Sequence, residues 1–577
     1  MPGFFISDRK LALTLREIKQ KEYVRKTARL SGWEGAVCCS FLPKFRQDKA
    51  FAQLDGLFVI LDGYLLNKKD LFATHKVETV EALMAKLYRE AGDGFFSVFR
   101  GCFSGAVYDE EKKKWIVFTN QIGDAAVFYI AENGFFAAGT QLQYLLDVSR
   151  QEKLPLSFNE SCAYQLLTYG FVATDETFAK EIKRLQGGDY LVWQDGKLSI
   201  KSYHRFEKHP ERIAGMTEEQ IIDALDREFK NAVRLEWEKD EEYGYRHLAD
   251  LSGGLDSRMG IWVAHEEKSR KVTALTYCKK GYLDETIAKK IADYWHDEFV
   301  FMPLDDASFL YDIDDNTAML GGLSLYSGIT GGKRLLESLD LSAYGIEHTG
   351  MVGDVVIGSY FRSAEDGERK QPSGMYSRRL TDRLTDDVKH VDEKYFDHEL
   401  FLIYVRGFHG MCNTHYLRRN YTEVSSPFLN VEFMQLCFDI PVARRIGHNL
   451  YKKWIIKKYP EAAKFAWETT GGKITESPTR TKLRKLVKKG PQKLLRMAGK
   501  ADKINAGMNP VDYWLATNDS LRAYLDRYAD EALAKYGDLY SEQLREDMKM
   551  LYKTGNAMEK SMVLTVLSAT KLYMDNK

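Results

Sequence analysis

The chain has 577 residues, of which 44% are apolar and 13% aromatic, and its 83 basic residues equal its 83 acidic residues in number. This length is too great for a single core and predicts two or three domains. Because the formal net charge is zero, the chain lacks the overall positive field that sequence-independent duplex binding requires. We therefore expect no nucleic-acid partner.

The sequence predicts neither a signal peptide nor a transmembrane segment. Arg9 and Lys10 precede an apolar run too short for a signal peptide, and no run of about 18 apolar residues follows elsewhere. The seven cysteines are odd in number and irregularly spaced, which argues against a disulfide framework or a zinc site. We expect a cytoplasmic protein with free thiols, in which Cys38 and Cys39 belong to a core strand.

The first 205 residues alternate short β-rich runs with helical stretches. This composition is typical of sheets covered by helices. The predicted strands are 57–61, 105–108, 115–118 and 190–193, and the predicted helices are 80–91 and 160–169. His209-Pro210 and Gly215 mark a linker, which bounds a first domain at 1–205 and a second at 216–577.

The second half begins with a helix signal and continues as alternating strands and helices. Thr217 is a candidate N-cap, and Gln220 three residues later completes a capping box for a helix over 217–237. The later alternation, including a strand over 272–278, implies a parallel sheet. Beyond Phe396 the pattern becomes mainly helical.

Residues 251–257 form the most informative segment of the chain. A predicted strand over 243–250 precedes them and a predicted helix over 258–267 follows, so backbone N–H groups at the helix start can bind an anion. Asp256 offers a carboxylate for Mg²⁺ on phosphate oxygens. The residues expected to bind a phosphate-bearing ligand here are Leu251, Ser252, Gly253, Gly254, Leu255 and Ser257.

The segment Ser-Gly-Gly-Leu-Asp-Ser at 252–257 resembles the pyrophosphate loop of ATP pyrophosphatases. Residues 349–360 resemble the S-G-x-G-x-D-E-x-F-G-G-Y signature of asparagine synthetases, with Gly350 and Asp354 at matching positions. The resemblance implies that ATP and Mg²⁺ are the cofactors. It also implies that Asp256 and Asp354 hold the metal on the pyrophosphate.

Weaker matches extend this resemblance from residue 1 to about residue 475. They comprise segments 61–67, 100–109, 121–129, 177–188, 281–285, 426–430 and 470–473, the last of which contains Lys473 at a phosphate-contacting position of the family. The chain is thus identified as a divergent member of the glutamine-hydrolysing asparagine synthetase family. The resemblance implies an α/β multidomain fold. It would have an N-terminal αββα sandwich of the Ntn-hydrolase type, an amidotransferase type 2-like domain, followed by a PP-loop ATP pyrophosphatase domain with a helical C-terminal region.

Departures from the family pattern bear on activity. Pro2 stands where the family has its nucleophilic cysteine, Asp62 stands where it has an oxyanion-hole asparagine, and no glutamine-clamping segment is visible over 25–47. We therefore expect glutamine hydrolysis to be lost. Met351 stands where many relatives carry an acidic residue, and Val355 replaces the glutamate of the D-E pair in the signature, which leaves the acceptor substrate open.

The resemblance implies an ATP-dependent ligase that converts a small-molecule carboxylate into an acyl-adenylate and releases pyrophosphate. Ammonia or an amine would then displace AMP, with Asp256, Asp354 and Lys473 as catalytic residues. Two alternatives stay open: a nucleotide-binding scaffold without activity, and a cyclase-like ligase for a larger natural-product or surface-sugar substrate. A homodimer is possible, and the sequence names neither the acid nor the nitrogen donor.

A basic segment at 480–503 lies outside the resemblance. Its leucines follow helical spacing, with an expected break at Gly490-Pro491. Binding to an anionic membrane or an acidic partner is one interpretation. A surface helix whose leucine stripe packs on the domain is the interpretation we favour. For His348 we favour a structural role. For Arg258 the sequence leaves two interpretations open, a phosphate contact and a structural contact.

Overall fold

Two antiparallel sheets, each of six strands, build the N-terminal half. The structure is a computed structural model that describes residues 2–10, 22–132, 134–329, 331–361, 363, 374–497 and 503–575. The strands are β1 Gly3–Ser7, β2 Val24–Leu30, β3 Trp33–Phe41, β4 Ala50–Leu54, β5 Leu57–Leu65, β6 Gly101–Asp109, β7 Lys114–Thr119, β8 Phe128–Glu132, β9 Phe135–Gly139, β10 Lys183–Arg184, β11 Asp189–Gln194 and β12 Lys197–Ser202. The helices are α1 Lys68–His75, α2 Val80–Ala91, α3 Leu142–Gln151 and α4 Glu160–Tyr169.

The two sheets pack face to face between two helical layers. One sheet has the order β10-β8-β9-β1-β3-β2 and the other has the order β12-β11-β7-β6-β5-β4. Alternate residues of β5 point to opposite sides: Ile60 enters the core between the sheets, whereas Val59 packs against α2. On β1, Ile6 lies between the sheets and Phe5 packs beneath α3 and α4. The predicted αββα layering is therefore confirmed.

A five-stranded parallel sheet forms the centre of the second half, with the order β15-β14-β13-β16-β17. Its strands are β13 Arg246–Asp250, β14 Val272–Cys278, β15 Glu298–Pro303, β16 Tyr344–His348 and β17 Glu423–Ser425, and a separate hairpin joins β18 Ala466–Trp467 to β19 Gly472–Lys473. The helices up to residue 402 are α5 Glu218–Tyr243, α6 Asp256–Glu267, α7 Leu283–Trp295, α8 Ile313–Met319, α9 Gly332–Glu337, α10 Asp386–Lys389 and α11 His398–Leu402. A π-helical stretch, Ile403–Met411, then leads to α12 Asn413–Arg418, α13 Val431–Asp439, α14 Val442–Arg445, α15 Asn449–Lys458, α16 Pro478–Met497, α17 Val511–Thr517, α18 Asp519–Tyr536, α19 Glu542–Thr554 and α20 Ala557–Met574.

Most predicted helices and strands are observed, but several begin or end at residues other than those predicted. The capping box of Thr217 and Gln220 is present, but α5 continues to Tyr243 and ends where Gly244 adopts a left-handed conformation with φ 72°. The strand predicted over 243–250 therefore begins only at Arg246. Helix α16 continues through Gly490-Pro491, so the break expected there is absent.

The C-terminal helices return to the N-terminal half. Helix α20 shares one apolar core with α3 and α4. The Tyr573 hydroxyl donates to the carbonyl of Gly321 at 2.8 Å, and Arg150 of α3 donates to the carbonyl of Leu572 at 2.8 Å. Among the described residues, no helix has the length and apolarity needed to cross a bilayer.

Candidate functional site

A cavity of about 460 Å³ opens at the carboxyl ends of β13, β14 and β16. Open parallel sheets bind ligands at this edge. The segment after β13 and the segment after β16, predicted separately from sequence, both line it. The lining residues are Asp250, Leu251, Ser252, Gly254, Asp256, Ser257, Leu275, Thr276, Tyr277, Asp284, Thr349, Gly350, Met351, Val352, Asp354, Met411, Arg418, Glu468 and Met508.

Asp256 and Asp354 meet at this cavity. The backbone N–H of Asp354 donates to Asp256 Oδ2 at 2.9 Å, and the Tyr451 hydroxyl donates to Asp256 Oδ1 at 2.9 Å. Burial and the charge of Asp354 raise the pKa of Asp256 well above its ordinary value. Asp354 is exposed at the cavity, and partial desolvation by the nearby protein still raises the pKa of its carboxyl. Two carboxyl groups that resist joint ionisation form an oxygen donor set that a divalent cation stabilises, so these residues fit Mg²⁺.

The two loops touch so closely that glycine is required. A Cβ atom on Gly350 would lie 2.3 Å from the backbone nitrogen of Ser257, and one on Gly353 would lie 2.7 Å from Asp256 Cγ. Real Cβ atoms do not approach so closely without displacing their neighbours. These glycines therefore permit the contact that brings the two carboxylates together.

Hydrogen bonds within the first loop fix its shape. The Ser257 hydroxyl accepts from the backbone N–H of Ser252 at 3.0 Å, and Asp284 accepts from the N–H of Gly253 at 2.8 Å. Gly253 and Leu255 do not line the cavity, and Leu255 packs into the apolar core. Of the six predicted ligand-binding residues of this loop, the structure brings Leu251, Ser252, Gly254 and Ser257 to the cavity, and their role in binding stays a prediction.

Arg258 has a structural role in the described chain. Its buried guanidinium donates to the carbonyls of Ala462 and Gly253, both at 3.3 Å, and also to those of Phe465 and Ala466. Arg258 thereby ties the glycine loop to the segment that leads into the β18–β19 hairpin. This settles the choice that the sequence left open, in favour of the structural contact.

Lys473 lies on β19, exposed and outside the cavity lining. The same hairpin nevertheless touches the loop, because the N–H of Glu468 donates to the carbonyl of Gly253 at 2.9 Å. Glu468 lines the cavity and accepts a hydrogen bond from the Tyr282 hydroxyl. The β18–β19 hairpin therefore contributes the Glu468 carboxylate to the cavity wall. Lys473, for which the resemblance implies a phosphate contact, lies on β19 of the same hairpin.

Sequence reasoning missed a charged group at the base of the cavity. Arg418 forms ion pairs with Asp250, at 3.1 Å, and with Glu347, and it donates to the Tyr277 hydroxyl at 2.8 Å. Burial raises the pKa of Glu347 to about 8, although Arg418 opposes this shift. The one available signal was a glutamate beside His348 in the buried strand β16, whereas Arg418 comes from α12 without any motif.

His348 lies behind the cavity and is buried. Its ring stacks on Trp237 with centroids 4.3 Å apart, and its Nε2 is 2.8 Å from Asp240 Oδ2. Asp240 also contacts His247 Nδ1 at 3.0 Å. These contacts join α5, β13 and β16, which confirms the structural role expected for His348.

A second group of charges surrounds a small pocket that Pro2 and Asp62 both line. Lys49 lies 3.2 Å from Asp62 and 2.7 Å from Glu423, and Arg419 lies 3.5 Å from Asp62 and 3.4 Å from Glu423. The carbonyl of Pro2 accepts a hydrogen bond from Gln141 at 2.7 Å. About 10 Å³ of free space remains in the pocket that Pro2, Asp62, Arg419 and Glu423 help to line.

Comparisons with known proteins bear on the N-terminal half. Residues 58–204 match the family described as a glutamine amidotransferase domain. The chain carries a glutamine amidotransferase-type domain.

A relative, asparagine synthetase [glutamine-hydrolyzing] 2 of Bacillus subtilis strain 168, is 23% identical over 253 residues. The match covers 40% of this chain and 32% of that protein, so the chain spans about a third of the relative's length. Among solved structures, a glutamine phosphoribosylpyrophosphate amidotransferase from B. subtilis has a TM-score of 0.25 at 10% identity, covering 53% of this chain and 91% of that one. An allosteric regulatory enzyme of purine biosynthesis has a TM-score of 0.23 at 10% identity, covering 52% and 74%.

Within the amidotransferase-type domain, no described cysteine offers a reactive thiol. All seven cysteines are free and buried. Burial raises the pKa of Cys38 and of Cys39 to about 12, and their strand β3 packs within the sandwich. The expectation that this pair belongs to a core strand is confirmed.

Proposed function

We propose that the chain is an ATP-dependent amide-forming ligase in which a PP-loop domain follows the amidotransferase-type domain. The observation that carries this proposal is the meeting of Asp256 and Asp354, from two separate loops, in one cavity at the carboxyl edge of a parallel sheet. In this proposal the two carboxylates would hold Mg²⁺, which would supply positive charge to offset the negative charge of the departing pyrophosphate.

The chain's own groups would then organise the reaction. Ser252, Ser257 and backbone N–H groups at the start of α6 would bind phosphate oxygens. A carboxylate oxygen of the substrate attacks the α-phosphorus, the bond to the bridging oxygen breaks, and pyrophosphate leaves. An amine next attacks the acyl carbon of the adenylate, loses a proton, and displaces AMP. Lys473 lies on the hairpin that contacts the glycine loop, and it would contact the leaving pyrophosphate.

The nitrogen would come from ammonia or an amine rather than from glutamine. Pro2 has no nucleophilic side chain, and Asp62 is engaged by Lys49 and Arg419 in a pocket with no room for a glutamine side chain. A carboxylate at that position would repel a developing oxyanion. These contacts support the loss of glutaminase activity.

A second candidate, a ligase for a larger acid, is favoured by one feature of the cavity wall. Met351, Met411 and Met508 all line the cavity, and methionine side chains adapt their shape to bulky apolar groups. Met351 also stands where many members of the resembled family carry an acidic residue. An acid with an apolar portion would therefore suit this wall better than aspartate.

ATP–pyrophosphate exchange tests the proposal directly. We expect purified protein with Mg²⁺ to exchange label in the presence of one acid from a panel that includes aspartate and larger amino-bearing acids. Asp256→Asn should reduce exchange at least a hundredfold, whereas Asp195→Asn, in an exposed turn, should leave it unchanged. ATP binding without exchange for any acid would favour the scaffold interpretation instead.

The nitrogen source is tested with the same acid. We expect amide formation with ammonium or an amine, and no glutamate released from glutamine. Release of glutamate in step with amide formation would overturn the proposed loss of glutaminase activity while leaving the ligase proposal intact.

A further inference from the structure

Helix α16, Pro478–Met497, has a composition unlike the rest of the neutral chain. Its twenty residues include eight lysines and arginines and neither aspartate nor glutamate. The whole chain has no net charge, so the attraction of this helix for an anion is local. One of the cations, Arg484, pairs with Glu476 just ahead of the helix at 2.9 Å.

Long apolar side chains project from the same helix into solvent. Leu483, Leu486, Leu494 and Met497 are 63%, 69%, 68% and 76% exposed. Twelve large apolar side chains are strongly exposed among the described residues, and these four lie on this one element. The expectation that the leucine stripe packs on the domain is therefore wrong, because no core element of the described chain covers it.

The four exposed side chains form a single stripe. At about 100° per residue they fall within an arc of about 80°. Arg480 and Arg484 flank the arc on one side and Lys482 flanks it on the other. Single exposed apolar residues are ordinary, but a stripe bordered on both sides by cations is the arrangement of helices that lie in a membrane interface.

We propose that α16 binds an anionic phospholipid surface, with its axis in the headgroup plane and its stripe in the acyl boundary. Lipid fits both features at once: phosphate headgroups receive the flanking cations, and acyl chains receive the leucines and Met497. Nucleic acid would satisfy the cations only and would leave the stripe exposed to water. The absence of any acidic residue over the twenty positions favours a uniformly anionic surface over a protein groove of mixed charge.

Vesicle flotation of the full-length protein tests this proposal. We expect at least tenfold more protein to float with vesicles of phosphatidylglycerol and phosphatidylcholine than with phosphatidylcholine alone. The triple substitution Leu483→Ser, Leu486→Ser and Leu494→Ser should reduce flotation at least tenfold, as should Arg480→Glu combined with Lys482→Glu. Leu539→Ser, at another exposed leucine, is the matched control and should float like the parent protein.

Fluorescence distinguishes insertion of α16 into the bilayer from adsorption by charge alone. Leu494→Trp should show fluorescence that brominated acyl chains quench, with a blue shift on binding. Because the substituted side chains are exposed, circular dichroism should report unchanged folding for every variant. Flotation of the triple serine variant at the parent level, or no flotation with anionic vesicles at low salt, would overturn the proposal. Binding to the polyanion heparin without binding to vesicles would point to a nucleic acid or acidic protein instead and would also overturn it.

Discussion

At the scale of single residues, the pair Asp256 and Asp354 explains why the proposed function places a divalent cation in the cavity. Each carboxyl has a raised pKa, so without a bound cation the charged state that metal binding requires is disfavoured. A divalent cation reverses this preference by supplying the opposing charge. The same coupling means that metal affinity should weaken as the pH falls, because protons then compete for the oxygen atoms.

Replacing Asp354 should therefore abolish pyrophosphate exchange without lowering the stability of the fold. The pKa of Asp354 is raised in the folded chain, so its ionisation weakens the fold as the pH rises through that value. We expect Asp354→Asn in Mg²⁺-free buffer to unfold at an equal or higher temperature than the parent at pH 8, with a smaller difference at pH 5. Exchange of pyrophosphate should be lost. A clearly lower unfolding temperature at pH 8 would show that the carboxylate stabilises the empty site.

At the scale of elements, His348 of β16 contacts Asp240 and Glu236 of α5 and so links this helix to the parallel sheet. Burial alone would lower the pKa of His348, but Asp240 and Glu236 outweigh it and raise the pKa to about 9. A histidine with a raised pKa contributes stability that is complete below its unfolded value near 6.5 and is lost as the pH rises through the folded value. The full contribution is roughly 3 kcal/mol, because each tenfold gain in proton affinity corresponds to about 1.4 kcal/mol.

The pH dependence of unfolding tests this attachment. Between pH 7 and pH 10 the parent protein should lose part of its free energy of unfolding, measured in urea at each pH. His348→Gln should be less stable at pH 7 and should lose less free energy of unfolding than the parent over the same interval. His390→Gln, on an exposed histidine, is the control and should follow the parent curve. A parent curve that is flat up to pH 10 would contradict the raised pKa.

The elements also show what sequence can and cannot predict here. The glycine loop and Asp256 are predictable because strand, turn and helix start are local signals within a short stretch. Tyr451, Arg418 and Glu468 are not, because they reach the cavity from distant helices and a hairpin, where only tertiary packing brings them together. The stripe of α16 is misjudged from sequence for a related reason: helical periodicity identifies an apolar face but not the presence of a partner for it.

At the scale of the whole molecule, buried charges join the two halves. Arg419 reaches Asp62 from the second half, and Lys49 reaches Glu423 from the first, so the network crosses between the amidotransferase-type domain and the parallel sheet. Burial alone would lower the pKa of Lys49, but Glu423 and Asp62 outweigh it and raise the pKa. Asp62, where the sequence resemblance predicts an oxyanion-hole position, is thus engaged here in contacts between the two halves.

Removing one charged side chain from this network should lower the free energy of unfolding. We expect Arg419→Met to lower the free energy of unfolding by about 3–5 kcal/mol, because two buried carboxylates would be left with one cation. Arg234→Met breaks an exposed pair with Glu238 and should cost under about 1 kcal/mol. Urea unfolding followed by fluorescence measures both. Similar small losses for the two variants would mean that the buried network contributes little to holding the halves together.

The return of α20 to the N-terminal half has a consequence for how the protein is made. Arg150 and the carbonyl of Leu572 that it binds are separated by 422 positions in the chain. At about 5–20 residues per second, a ribosome needs roughly 20–80 s to travel that distance. During this interval the outer faces of α3 and α4 have emerged while the helix that covers them has not. The nascent chain therefore carries an uncovered apolar surface for most of its synthesis, and a chaperone that shields this surface would increase the yield of folded protein.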